Sequence, residues 1–482
     1  MQLMKLRSGT KTPGWSLLSN KKNNLLFLVI FAVLYFLMKT PVWIFLTATI
    51  LLVKILDNKK YYILAIANII CWLFTWKAFD YQLFEFATNT YSNSVAIATI
   101  KAIIIFFVLT AFYFFHKKSN KKLKTLFPGI VILIYITTMA IFLKYNEIET
   151  SLFWEVWRVA WGLVVGCSIY FIILLKQEKI GLIDLVYVYP FWGGALPIPG
   201  RYQDLKKSED TQNRASTELS GLIIICSWLL LLFAADILKL LVLNNYYSGT
   251  VFFRLTEAEV FFRSISLSDY IKGNVYLNTT FRPIMYFSFY IIEASSMFGL
   301  QVGLLRLLGF NVMENIKPFW LAHGFYDFFK KINTYYSKIL LENFILPSFA
   351  TFNFIKHFKA RIAISVFVST VFWSTYSQLV VLQGARWLTV KNLNTAYISV
   401  LPIIYYNLII AVMLAMSTAL SSDEKDKNKI IPKKQFIQGV GYYLIYAGLG
   451  YYFIMVAYHQ AQSLSPDLKN PVPMKYLRAL LK

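Results

Sequence analysis

Apolar residues in this chain come in long unbroken runs, not in the short alternations of a soluble fold. Stretches such as 94–115 (SVAIATIKAIIIFFVLTAFYFF), 219–244 (LSGLIIICSWLLLLFAADILKLLVLN) and 397–420 (YISVLPIIYYNLIIAVMLAMSTAL) reach the roughly 18 to 20 residues that a helix needs to cross a bilayer. Read this way, the pattern predicts helices near 24–38, 41–56, 61–76, 94–115, 127–144, 152–175, 219–244, 281–309, 361–384, 397–420 and 435–458. The expectation is an all-α polytopic membrane protein with about eleven transmembrane helices. Two stretches break the pattern. Segment 180–199 is apolar but interrupted by Pro190, Gly193, Gly194, Pro197 and Pro199. Such backbone is tolerated at membrane depth only when buried in protein or lining a wet cavity, so a re-entrant segment is expected. Segment 310–360 is too charged to span and too apolar to be a free loop, and it predicts half-buried helices.

Composition agrees. Of 482 residues, 57% are hydrophobic and 15% charged, against an average near 25% charged in soluble domains. The net charge of +24 does not mark a nucleic-acid binder, because the lysines recur as short patches between apolar runs. Basic loops at 57–60, 116–124, 176–179, 200–218, 310–360 and 423–434 alternate with loops poor in Lys and Arg, such as 77–93 and 145–151. That alternation is the positive-inside pattern, and it predicts a cytoplasmic N-terminus. The basic N-terminal stretch and the apolar run after it carry no small-residue cleavage site, so the first helix is expected to be retained. The three cysteines, Cys71, Cys167 and Cys226, sit within apolar runs and read as buried hydrophobes. Nothing in the chain has metal-ligand spacing. A single integral membrane domain over 1–482 is expected.

Within 310–360 the stretch 325–347, FYDFFKKINTYYSKILLENFILP, holds the candidate chemistry. In helical register Lys330, Asn333 and Ser337 form one polar stripe among aromatic and aliphatic residues. Asp327 and Lys331 are spaced as an acid-to-base pair in the favourable order, and Pro347 is expected to end the helix. Asn333 either lines a cavity or makes a structural hydrogen bond. Among carboxylates inside spans, Glu293 has no near charge in sequence and is the best candidate for a functional one.

Gly309-Phe310, Glu314-Asn315, Pro318, the run Asp327 to Asn333, Ser337, Leu340 and Pro347 together resemble the signature of membrane-bound O-acyltransferases, the MBOAT family. Upstream, Pro197-Ile198-Pro199-Gly200-Arg201-Tyr202 looks like the Gly-Pro-Ile…Arg-Tyr element of that family. The resemblance covers about 180–385, between N-terminal helices at 24–175 and C-terminal helices at 397–458, with a tail at 460–482. It implies an MBOAT-like funnel of helices whose thin centre holds 310–360 and the re-entrant segment. It implies O-acyl transfer from a cytoplasmic thioester, acyl-coenzyme A or an acyl carrier protein, to a hydroxyl of a lipid, glycan or exported cell-envelope polymer. No bound cofactor is expected. The partners implied are the lipid bilayer and envelope-polymer machinery, and the location implied is a bacterial inner membrane.

Carried over residue by residue, the resemblance places Asn333 at the first polar motif position. Ser374, which follows Trp373, stands where the family has its second motif histidine. A serine hydroxyl cannot replace imidazole as a base near neutral pH, and losing a general base costs about 10²- to 10⁴-fold. Of the four histidines, only His323 lies close in sequence to the motif, as a displaced base or as a solvated residue at a helix start. Asn333, Ser374 and His323 are the catalytic candidates. Asp327, Lys330, Ser337, Arg201 and Trp373 are the substrate-binding candidates. Two other functions stay open: a catalytically degenerate member that binds lipid, acyl chain or a partner protein, and a transporter or flippase.

Overall fold

The structure is a computed structural model that describes residues 41–74, 95–120, 168–175, 180–188, 202–210, 213–243, 282–317, 319–332, 334–376, 393–420 and 436–446, with a few single positions between and after them. Among the described residues regular structure is helical, and the one β contact is an isolated antiparallel bridge between Glu209 and Phe310. The helices are α1 Pro41–Ile55, α2 Lys60–Phe74, α3 Val95–Lys118, α4 Ser168–Leu175, α5 Leu182–Val186, α6 Tyr202–Ser208, α7 Arg214–Leu243, α8 Arg282–Leu307, α9 Phe325–Ile332, α10 Thr334–Leu340, α11 Leu346–Thr351, α12 Phe358–Tyr376 and α13 Leu393–Leu420. Residues 436–446 are helical too. Most apolar runs anticipated from the sequence are therefore helices with nearly the expected limits. The runs at 24–38 and 127–144 lie outside the described residues save single positions. One described stretch, Arg214–Ala235, is long and apolar enough by itself to cross a membrane, which supports membrane association. Of the interrupted segment 180–199, the described part includes the single-turn helix α5 and the fully buried Tyr187 and Trp192.

Glycine sets the approach of α7 to α8. A Cβ on Gly221 of α7 would lie 2.6 Å from the Gly303 carbonyl oxygen of α8, and one on Gly303 would lie 2.6 Å from Ile225 Cγ1. Small residues let backbones approach, the usual device where helices pack without a hydrophobic drive. One turn before Gly303, Gly299 leaves room for the Trp228 indole, 2.0 Å from where a Cβ would stand. Helix α8 then ends at Gly309, whose φ of +87° is a left-handed value that glycine adopts without strain. The Phe310 N–H donates to the Leu305 carbonyl at 3.0 Å, satisfying an otherwise orphaned helix-end acceptor in the Schellman manner.

Two large apolar clusters result. One gathers α1, α2, α7 and α8 with Trp192, Phe310, Val312 and Tyr335. The other gathers α9, α10, α12 and α13 around Phe325, Phe328, Ile332, Ile339, Trp373 and Leu414. The stretch 310–340 contributes to both, so its mixture of aromatic and charged residues has a packing reason. In α9 the buried set is Phe325, Phe328, Phe329 and Ile332, the i, i+3, i+4, i+7 face of an amphipathic helix, while Lys330 is exposed.

Candidate functional site

The helix anticipated over 325–347 is divided into α9, which ends at Ile332, and α10, which starts at Thr334. In a continuous helix Ser337 and Phe329 would be about 12 Å apart along the axis, yet the Ser337 hydroxyl donates to the Phe329 carbonyl at 3.4 Å. The chain therefore bends sharply between them. A docked loop splices the bend. The Thr334 N–H donates to the Asn315 carbonyl at 2.8 Å, and the Tyr335 N–H donates to Asn315 Oδ1 at 3.1 Å. On the other side of the bend, the Lys317 N–H donates to the Lys331 carbonyl at 2.8 Å. Asn315, itself buried, thus caps α10 from a distant part of the chain. Asn315→Ala should lower stability by about 1–2 kcal/mol by leaving a buried N–H unpaired. The readout is the thermal unfolding midpoint in detergent, and an unchanged midpoint would refute the splice.

Pro347 does not end the helical segment. Residues Leu341–Ile345 form a wide π turn, in which the Leu346 N–H reaches the Leu341 carbonyl, and Pro347 sits in the first turn of α11. Proline is at home there because its missing N–H is not needed, so helical chain runs on to Thr351.

The start of α9 is held from three sides. Asp327 Oδ2 accepts from the His323 N–H at 3.0 Å and from Lys331 Nζ at 2.8 Å. Lys331 Nζ also donates to the Leu321 carbonyl at 2.7 Å. The Tyr326 N–H donates to Ser417 Oγ of α13 at 3.1 Å. The anticipated Asp327–Lys331 pair is thus present, and it fastens the loop 321–324 onto the helix. His323 precedes α9 instead of lying within it, and it is exposed.

The second motif stretch comes against the first. Trp373 of α12 is fully buried, with its ring 4.6 Å from that of Phe344 and 5.9 Å from that of Tyr336. Tyr336 in turn meets Phe329 at 5.7 Å. The structure therefore joins Trp373 to the residues around Ser337, 36 positions away in sequence. Nearby on α12, Ser369 Oγ donates to Ser348 Oγ at 3.0 Å. Thr370 Oγ1 is buried and has no hydrogen-bond partner among the described residues. Ser374 lies in the same helix one turn after Thr370. The side chains of Ser374 and Glu293, and the whole of Asn333 and Arg201, lie outside the described residues.

Sequence reading missed an ion-pair cluster where the loops at 57–60, 209–218 and 309–314 meet. Lys60 is only 3% exposed. Its ammonium contacts Glu209, lies 4.0 Å from Asp57, and stands 5.3 Å above the Phe310 ring. The Tyr61 hydroxyl donates to the other Glu209 oxygen at 2.6 Å. Arg214 pairs with Asp57 and, at 2.9 Å, with Glu218, which also takes Lys54 at 3.1 Å. Burial opposes ionisation of Glu209, but the hydrogen bonds from Lys60 and Tyr61 outweigh it and hold the carboxyl below its ordinary value. These three loops were grouped on one side of the bilayer by their lysines, and they are in contact here. No protein-family model matches the chain, and no curated protein matches it.

Proposed function

We propose that this chain is an integral membrane protein of acyltransferase-like architecture, which transfers an acyl group from a cytoplasmic thioester to a hydroxyl of a lipid, glycan or envelope polymer. The observation that carries the reading is the packing of Trp373 on Tyr336 and Phe344, because the two motif stretches of the resemblance would have to share one site. Exposed apolar side chains on the long helices, among them Ile55, Phe106, Phe107 and Leu230, support immersion in lipid, since soluble surfaces rarely carry such area. In this reading the N-terminus is cytoplasmic and the membrane is a bacterial inner membrane.

In the transfer an acceptor hydroxyl oxygen bonds to the thioester carbonyl carbon as the C–S bond breaks. The hydroxyl proton ends on the departing thiol. The Asn333 amide can hydrogen-bond the carbonyl or the acceptor, but neither it nor Ser374 takes a proton near neutral pH. His323, the candidate displaced base, is exposed ahead of α9. Transfer by Asn333 and Ser374 alone would be slower than in a site with imidazole, by about 10²- to 10⁴-fold. Ser374 in place of histidine also favours a second reading, in which the same fold binds acyl chains or lipid without transfer.

The test is acyl transfer by purified protein in nanodiscs, from radiolabelled acyl-coenzyme A or acyl carrier protein into native membrane extract. Wild-type transfer that Asn333→Ala reduces at least a hundredfold is the expected result. No wild-type transfer, with activity appearing in Ser374→His, would replace the enzyme by the binding protein.

A further inference from the structure

The turn between α11 and α12 sets exposed aromatic rings beside its lysines, which the alternation of basic loops alone does not account for. Phe354 and Phe358 are 72% and 65% exposed, and between and beside them Lys356, His357 and Lys359 are exposed too. Among the described residues neither lysine makes an ion pair, and no Asp or Glu occurs in the sequence from 343 to 422. The turn is nonetheless built. Arg361 Nε donates to the Phe349 carbonyl at 2.7 Å, and its guanidinium lies 3.9 Å from the centre of the Phe349 ring. That ring meets Phe358 edge-on at 5.8 Å. The Ile355 N–H closes the turn on the Phe352 carbonyl at 3.1 Å. Arg361 is thus committed to shaping the turn, which leaves Lys356 and Lys359 as its outward cations.

Helix α12, directly after the turn, indicates the solvent that the turn faces. Ile364, Val368 and Phe372 are each at least 40% exposed and recur every four residues along α12, forming an outward apolar stripe. From Lys359 to Phe372 the helix rises about 20 Å, so the cations stand at one end of a strip that needs an apolar solvent. Basic residues at the rim with aromatic rings beside them match the level of lipid headgroups.

We propose that the turn 351–360 binds anionic phospholipid headgroups, with Lys356 and Lys359 holding the phosphate and Phe354 and Phe358 inserted among the upper acyl carbons. The inference rests on membrane association, and acyl transfer has no part in it. An acidic protein such as an acyl carrier protein would also meet the lysines, but two phenyl rings left in water favour lipid.

The experiment uses the full chain in a neutral detergent, with equimolar dioleoylphosphatidylglycerol and dioleoylphosphatidylcholine, and counts bound lipids by native mass spectrometry. Wild type should retain phosphatidylglycerol over phosphatidylcholine. Lys356→Gln with Lys359→Gln should weaken phosphatidylglycerol binding by roughly tenfold or more, given the attraction of each lysine to an anionic surface. Lys117→Gln with Lys118→Gln, at an equally exposed basic helix end, should leave binding near wild type. Phe354→Ser with Phe358→Ser should weaken both lipids alike. Equal loss in the two lysine pairs would overturn the proposal in favour of bulk charge. A 356/359 variant that keeps its phosphatidylglycerol preference but loses capture of acyl carrier protein would overturn it in favour of a protein partner. All variants are at exposed positions, so an unchanged elution profile and melting midpoint show that the fold is intact.

Discussion

Gly221→Leu should leave almost no monodisperse protein after extraction into detergent, and Gly221→Ala should already lower the melting midpoint. At position 221 the first atoms a side chain meets are the Gly303 carbonyl oxygen at 2.6 Å and the Leu307 nitrogen at 2.7 Å. Both are backbone, and neither can swing away. Overpacking a core ordinarily costs about 1–3 kcal/mol. Here two helices would have to separate along their whole contact, so the leucine variant should exceed that range. The facing position should tolerate more. At Gly303 the first contact is the Ile225 side chain, with backbone only at 3.0 Å, so Gly303→Ala should be milder than Gly221→Ala. Equal yields and midpoints for the two alanine variants would mean that the close approach of α7 and α8 does not govern stability.

The second large effect is expected at Lys60. Its ammonium is buried between Glu209, Asp57 and two aromatic rings. Lys60→Met would leave the Glu209 carboxylate with the Tyr61 hydroxyl alone. Breaking a fully buried pair costs about 3–5 kcal/mol. The Glu209 side chain is 26% exposed, and water would offset part of that, leaving about 2–3 kcal/mol after screening. Adding Glu209→Gln should recover part of the loss, because the carboxylate no longer lacks its cation. A double variant as unstable as the sum of the singles would show that the two residues act independently.

Acid should act at the same place. The carboxyl of Glu209 is held below its ordinary value in the folded chain, so it contributes stability that is fully present above the unfolded value near 4.3 and is lost as pH falls through the folded value. The melting midpoint of wild type should therefore fall more steeply below about pH 4.3 than that of Glu209→Gln. Parallel pH profiles would remove Glu209 from the acid response.

Legibility followed the range of the interaction. Asp327 and Lys331 are four residues apart on one helix, and their pair could be read from spacing alone. The division between Ile332 and Thr334 could not. Nothing within 325–347 announces it, because the groups that satisfy the freed N–H donors come from Asn315, far enough away to be invisible to any local window. Pro347 misled for a related reason. Its local rule says stop, and the π turn just before it lets the helix absorb the missing donor instead. The Lys60 cluster was hidden inside what charge counting had filed as basic loops. Its acids, Asp57, Glu209 and Glu218, are dispersed in sequence and come together only when α1, α2, α6 and α7 do.

By itself the sequence determined the helical class, the approximate limits of most described helices, and the grouping of the loops at 57–60, 200–218 and 310–360. Those depend on run length, hydropathy and charge, which act locally along the chain. Tertiary structure decided which helices touch through glycine, where the motif helix breaks and what splices it, and that Trp373 meets Tyr336 and Phe344. These depend on backbone approach and on hydrogen-bond partners drawn from distant segments. A buried N–H must find an acceptor wherever the fold brings one, and that place is set by packing, not by spacing in the chain.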